Sequence, residues 1–133
     1  MIDVAVGIMF RNGGAPPTVL LCQRKHDARY ALKWEFPGGK VEPNEPTEEC
    51  LRRELREELG IAATVGRLYH RQHYVYPDSG TFDVSYYLVQ SFTGPIVNHV
   101  FETTKWVPIG DLTRYDILEG NREVVEKLMR EHA

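Results

Sequence analysis

Cysteine is scarce in this sequence: 133 residues contain two, Cys22 and Cys50. Two thiols cannot build a disulfide-dense scaffold. One lies in an apolar run and the other in a helical pattern, a setting that suits free buried thiols and a reducing, cytoplasmic compartment. Long apolar runs are missing too, since nothing approaches the ~18 residues of a membrane span. The opening Met1-Ile2-Asp3-Val4 lacks the basic and then apolar pattern of a targeting segment, so no membrane partner is expected. Positive charge is not in excess either. Sixteen Lys and Arg against 19 Asp and Glu leave a net −3, which gives no basic field to hold a nucleic-acid polymer. Internal repeats, linkers and low-complexity tracts are absent.

What is present is ordinary for a globular chain: 42% apolar, 26% charged and 11% aromatic residues, in a length that predicts one domain over residues 1–133. From Ile2 to Phe10 the large apolar residues fall on even positions, while Asp3, Ala5 and Gly7 form a small-residue face. That is a strand against whose small face something must pack closely. Asn12-Gly13-Gly14 and Pro16-Pro17 predict a turn, and Thr18 to Arg24 a buried strand paired back as a hairpin. Trp34-Glu35-Phe36 is short and apolar before the break at Pro37-Gly38-Gly39. The clearest helix runs from about Pro46 to Leu59, with Leu51, Leu55 and Leu59 recurring every four residues and Gly60 at the C′ position. Strands over about Val65–Tyr76 and Phe82–Gln90 flank the turn Pro77-Asp78-Ser79-Gly80. A further strand covers Thr103–Val107, and a second helix covers Glu119–Arg130.

Glu54, Glu57 and Glu58 stand at i, i+3 and i+4 on the first helix, which places three carboxylates on one face within about one turn. Like charges so spaced repel, and Arg53 and Arg56 offset only part of this. Taken alone, such a cluster is either a solvated acidic face or a platform of oxygen ligands for a hard divalent cation. The surrounding frame decides between the two. Gly39, Glu45, Arg53-Glu54-Leu55, Glu57-Glu58 and Gly60-Ile61 fill every fixed position of G-x5-E-x7-R-E-U-x-E-E-x-G-U, where U is apolar, a match whose chance occurrence is on the order of one in a million. This resembles the Nudix box. The lead-in Trp34-Glu35-Phe36-Pro37-Gly38-Gly39-Lys40-Val41-Glu42 and the strand Val4-Ala5-Val6-Gly7-Ile8 are similar to those of MutT-type nucleoside triphosphate pyrophosphohydrolases.

The resemblance implies an α/β fold, the Nudix α/β/α sandwich, in which a mixed curved sheet lies between the box helix and the C-terminal helix. It implies magnesium, with manganese able to substitute, held by Glu54, Glu57 and Glu58 and the carbonyl of Gly39. Glu54 is the candidate proton acceptor, Arg53 the residue that orients the glutamates, and Glu45 the tie between loop and helix. The chemistry agrees, because a triphosphate with about four negative charges meets an acidic helix only through bridging cations. In one respect the sequence departs from the family. Many relatives carry a glutamate six residues before the tryptophan of the late strand, and here that position is Val100; the nearest acid is Glu102, preceded by His99. Glu102 either substitutes for it as a catalytic acid or is a loop residue. His70 and His73 do not read as a metal pair, because an i,i+3 spacing on a strand sends them to opposite faces.

For the base, Asn121 occupies the position where MutT-type enzymes that clear oxidised guanine nucleotides carry an asparagine. Its amide offers both a donor and an acceptor to a purine edge, although Asn is equally a common helix cap. Arg24 and Tyr76 also match positions lining the nucleotide site, Arg24 for phosphate or sugar and Tyr76 for the base, against readings as a surface charge and a sheet aromatic. The expected activity is hydrolysis of a nucleoside triphosphate to monophosphate and pyrophosphate, on 8-oxo-dGTP or a pyrimidine nucleotide such as CTP or dCTP, by a monomer or homodimer. The rivals are a pyrophosphatase for ADP-ribose or dinucleoside polyphosphates, for which Tyr76-Pro77 sits near the relevant window, and a Nudix-fold sensor that binds nucleotide without hydrolysing it.

Overall fold

The computed structural model describes residues 1–11 and 17–132. The elements in chain order are β1 (Ile2–Arg11), β2 (Thr18–Gln23), β3 (Trp34–Glu35), β4 (Gly38–Lys40), α1 (Thr47–Leu59), β5 (Ala62–Tyr76), β6 (Gly80–Thr93) and β7 (Thr103–Pro108). Two 3-10 turns follow, Ile109–Arg114 and Glu119–Asn121, and the last element is α2 (Arg122–His132). The turn expected over residues 12–16 lies outside the described residues.

The strands form one mixed sheet in the order β3-β2-β1-β6-β5, with β4 also paired to β1 and β7 to β2. Strand β1 runs parallel to β6 from Ile2↔Phe82 to Met9↔Val89. On its other side it meets β4 antiparallel at Val4↔Lys40 through Val6↔Gly38. The expected hairpin to β2 is confined to Phe10↔Val19 and Arg11↔Thr18, because β2 diverges to pair with β7 and β3. The divergence opens a wedge beside β1, and β4 and the loop before α1 fill it.

Period-two burial builds a core on each face of the sheet. Val6, Ile8 and Phe10 join Val84, Tyr86 and Leu88 of β6 and Val124, Val125 and Leu128 of α2. Ala5 and Met9 join Tyr87 and Val89 and the buried face of α1, Leu51, Leu55 and Leu59. The small face of β1 is thus the seat of α1, where a Cβ on Gly7 would touch a Leu51 methyl at 3.4 Å. All three leucines of α1 are fully buried, so truncating any one to alanine would cost about 2–5 kcal/mol. Pro46 stands extended before α1, and Gly60, left-handed at φ 69°, ends it by donating its N–H to the Arg56 carbonyl.

Three expected boundaries shift. β5 and β6 are longer than their apolar cores, because their edges continue to exchange ladder hydrogen bonds through small and polar residues from Ala62↔Thr93 to Tyr76↔Gly80. Irregular register between Thr64 and His70 breaks the alternation there. The second helix is preceded by a separate 3-10 turn holding Glu119, Gly120 and Asn121. No helix among the described residues is long and apolar enough to cross a membrane.

Candidate active site

A cavity of about 330 Å³ opens between β1, the β3–β4 connection, the loop after β2, the β5–β6 turn and the 3-10 turn before α2. The chain assembles it through backbone ties. Trp34 donates its N–H to the Asp116 carbonyl at 2.9 Å and accepts from the Leu118 N–H at 2.8 Å, which lays Gly120 and Asn121 beside Phe36. At the other end, β4 brings Gly38 and Gly39 against α1. Gly38 has φ 157°, and a Cβ there would strike the Ala5 carbonyl and the Val6 backbone; a Cβ on Gly39 would strike the Glu54 carboxylate.

Glu54 and Glu58 converge on this glycine loop. Glu58 Oε1 accepts the Gly38 N–H at 3.2 Å. Burial, then the neighbouring charges of Glu54 and Glu35, push the Glu58 carboxyl up to about 9, so at neutral pH it holds a proton. Glu54 is raised by burial as well, against the pull of Arg53. Two half-buried carboxyls raised side by side resist ionising together, and a cation between them would relieve this. The donor set there is all oxygen, two carboxylates against the Gly38-Gly39 backbone, and it fits a hard divalent cation, while the Gly39 carbonyl faces Cys50 Sγ at 3.6 Å. Glu57 is more exposed and shares Arg53 Nη1 with Glu54. Its side chain is 57% exposed and accepts from Arg53 Nη1 at 3.2 Å. Among the described residues no three His, Cys, Asp or Glu side chains are arranged to hold an ion by themselves.

Arg53 links the parts. Its guanidinium gives two bonds to Glu45, at 2.8 and 3.0 Å, one to Glu54 Oε1 at 2.8 Å and one to the Lys40 carbonyl at 3.3 Å. This partner holds the Glu45 carboxyl down at about 2, and Glu45 in turn accepts the Glu42 N–H at 3.0 Å, closing the loop before α1. Both cysteines are free and buried. Cys50 sits one turn before Glu54 with Sγ 3.4 Å from the Lys40 carbonyl.

At the far end of the cavity Asn121 is 7% exposed. Its Oδ1 accepts the Phe36 N–H at 3.1 Å and its Nδ2 donates to Tyr86 Oη at 3.0 Å. The amide is therefore committed to β6 and the β3–β4 connection and does not serve as the helix cap that the sequence left open. Tyr76 lines the cavity, with its ring 5.6 Å from that of Phe82 and 5.1 Å from that of Tyr30. Arg24 also lines it, donating to both Glu35 oxygens at 3.1 and 3.2 Å and from Nε to the Arg29 carbonyl at 2.7 Å. Glu102 is elsewhere. It accepts the His26 N–H at 3.2 Å and meets His26 Nδ1 at 3.1 Å, and it does not line the cavity. Val100 is exposed. His70 pairs with Glu123 and His73 approaches Asp83, on opposite faces of β5.

Sequence reasoning missed Glu35, Arg29 and Tyr30, all of which line the cavity. Glu35 is the acid best placed to touch a ligand besides the box glutamates. Burial raises its carboxyl despite the Arg24 partner. The available signal was an acid enclosed by Trp34 and Phe36 in a short apolar strand. Arg29 and Tyr30 carry no local signal, because their partner Asp78 is 48 and 49 residues away.

The comparisons with known proteins agree with this geometry. The NUDIX domain model matches residues 1–128. The chain is 35% identical over 129 residues to a CTP pyrophosphohydrolase of Escherichia coli, covering 97% of this chain and 92% of that protein. It is 33% identical over 131 residues to an 8-oxo-dGTP diphosphatase of Haemophilus influenzae, covering 98% and 93%. The solution structure of the E. coli ORF135 protein superposes with a TM-score of 0.86 at 33% identity, covering 100% of this chain and 91% of that one. With the Gly38-Gly39 loop at one end of the cavity, Glu54 and Glu58 held against that loop, and the match spanning nearly the whole chain, the protein belongs to the NUDIX family and is a hydrolase acting on phosphoric anhydrides.

Proposed function

We propose that the protein hydrolyses a nucleoside triphosphate to the monophosphate and pyrophosphate with magnesium, taking an oxidised purine nucleotide such as 8-oxo-dGTP or a pyrimidine nucleotide such as CTP or dCTP. The observation that carries this reading is the layout of the cavity, which has at one end the glycine loop that Glu54 and Glu58 abut and at the other a buried, oriented amide. The relatives' named activities, on CTP and on 8-oxo-dGTP, support the same substrate class.

Glu54, Glu57 and Glu58, with the Gly39 carbonyl, are the residues that would hold the cation, and manganese would serve in its place. Bound there, the cation neutralises phosphate charge and lowers the pKa of water. Glu54 takes the proton of the attacking water, and Arg53 holds Glu54 in place. Gly38 and Gly39 keep the wall free of Cβ atoms, so that the phosphates can approach. Arg24, which lines the cavity, would contact phosphate or sugar, and the Tyr76 ring would pack the base. Asn121 has spent one lone pair on Phe36 and one N–H on Tyr86, so one of each remains for the ligand. An N7–H beside O6, as in 8-oxoguanine, meets that pair as donor and acceptor. Ordinary guanine offers two acceptors and leaves the Asn121 oxygen facing one of them.

The test is a screen of 8-oxo-dGTP, dGTP, CTP, dCTP, ADP-ribose and dinucleoside polyphosphates, repeated with Asn121→Ala. The oxidised-guanine reading predicts that the variant shrinks the 8-oxo-dGTP to dGTP ratio of kcat/KM by roughly ten- to a hundredfold. An unchanged ratio, or a wild-type preference for CTP, rejects that reading and leaves the pyrophosphohydrolase. Binding without turnover marks a sensor.

A further inference from the structure

Tyr86 is fully buried in the middle of β6, on the face it shares with the apolar Val84 and Leu88. A phenylalanine would meet the packing pattern of that core, so the hydroxyl needs its own reason. Its O–H donates to the Gly120 carbonyl at 3.2 Å, and its oxygen accepts from Asn121 Nδ2 at 3.0 Å. The same carbonyl accepts from Gln72 Nε2 at 2.9 Å, and the Gly120 N–H donates to Tyr76 Oη at 2.9 Å. A Cβ on Gly120 would strike that Tyr76 hydroxyl. Two tyrosines from the two strands of one hairpin therefore hold both sides of the residue that precedes Asn121.

The directions in this network are not interchangeable. A carbonyl can only accept, so the Tyr86 proton goes to Gly120 and its lone pair is what Asn121 meets, which requires a donor there. The Phe36 N–H can only donate, which requires an acceptor at the other end of the Asn121 amide. Turning the amide over would oppose N–H to N–H at Phe36 and leave its oxygen facing a hydroxyl whose proton is already committed.

We propose that Tyr86 is a positioning residue for base recognition: its hydroxyl fixes the sense of the Asn121 amide, so that the remaining lone pair and N–H reach the cavity in a set order. The proposal rests on the reading of Asn121 as the base-recognising residue and deepens it. Tyr86 touches no substrate and acts only through Asn121. The order it sets suits a base edge with a donor beside an acceptor, N7–H with O6 in 8-oxoguanine or N4–H with N3 in cytosine, and rejects the two adjacent acceptors of guanine.

The experiment uses Tyr86→Phe, which removes one oxygen and keeps the ring. The side-chain NH2 pair of Asn121, identified by its loss in Asn121→Ala, is followed by nitrogen-15 NMR in the ligand-free protein. In the wild type the two protons are well separated and slow to exchange. In Tyr86→Phe they move together and exchange at least about tenfold faster. In kinetics, Tyr86→Phe lowers the 8-oxo-dGTP to dGTP ratio of kcat/KM by about fivefold or more, through KM, and adds nothing to that ratio in an Asn121→Ala background. Unchanged Asn121 resonances, or the same loss of ratio in both backgrounds, overturns the proposal. If the wild type shows no base preference that Asn121→Ala removes, the base-recognition reading fails by itself, and the NMR result alone decides whether Tyr86 sets the amide.

Discussion

The Gly38 N–H donates to Glu58 Oε1 at 3.2 Å, so the carboxyl with the most strongly raised pKa in the site also pins the glycine loop. With the Arg53 and Cys50 contacts to the Lys40 carbonyl, this contact joins β4 to α1 and brings the glycine backbone against the acids. Glu58→Gln should keep the bond, because the amide oxygen still accepts, and should remove the carboxylate that a cation would need. The expected result is a folded protein whose kcat falls by orders of magnitude, with Glu54→Gln and Glu57→Gln behaving alike in steady-state assays. A variant that retains more than about a tenth of wild-type kcat removes that glutamate from the ligand set.

The raised Glu58 also links metal, pH and stability. Without a cation its carboxyl titrates at about 9, against about 4.3 in an unfolded chain. A raised folded pKa gives stability that is complete below the unfolded value and is lost progressively as pH rises toward the folded one. Magnesium replaces the proton, so the gain in Tm on adding it should be larger at about pH 8.5 than at about pH 6. Thermal unfolding with magnesium and with chelator checks this. A gain that shrinks as pH rises would count against cation binding at Glu58.

Glu102 was the sequence's candidate for the glutamate absent at Val100, but its carboxylate is engaged by His26 away from the cavity. The His26 contacts hold its carboxyl below the ordinary range. Glu102→Gln should change kcat by less than about twofold and leave the pH–rate profile where it was. A tenfold loss with a displaced profile would return Glu102 to the mechanism.

Arg29 donates to both the Asp78 carbonyl and its carboxylate, and Tyr30 donates to the same carboxylate, which ties the loop after β2 to the β5–β6 turn across the cavity mouth. Tyr30 and Arg29 hold the Asp78 carboxyl down at about 2. A depressed acid keeps its contribution above the unfolded value and loses it as pH falls through the folded one, so this tie persists through the neutral and mildly acidic range. Asp78→Asn should raise KM by roughly threefold or more and speed amide exchange in residues 25–33, with kcat little affected. Equal exchange in variant and wild type would show that the tie does not order the loop.

The sequence was informative where a residue's role depends on its neighbours in the chain. The α1 leucines, the even face of β1 and the box acids all follow from local spacing, and they seat α1 against the glycine loop at one end of the cavity. Glu57 also follows from the spacing, and Arg53, four residues before it, ties it to Glu54 through one guanidinium nitrogen. The end that holds Asn121 rests on contacts between distant segments: Asn121 with Phe36, Tyr86 with Gly120, Arg29 with Asp78. A period-two pattern records that Tyr86 points inward, yet it does not say what its hydroxyl meets. Glu35 was visible as an acid among aromatics, but its pairing with Arg24 needed β2 and β3 side by side.

Identification of the products of one nucleoside triphosphate turned over with magnesium tests the central claim most directly. Anion-exchange separation after incubating the wild type with 8-oxo-dGTP, and in parallel with CTP, should show nucleoside monophosphate and pyrophosphate in equal amounts from at least one of them. Chelation and Glu58→Gln should abolish both products. Release of orthophosphate with the diphosphate, or turnover that survives chelation, would contradict the account.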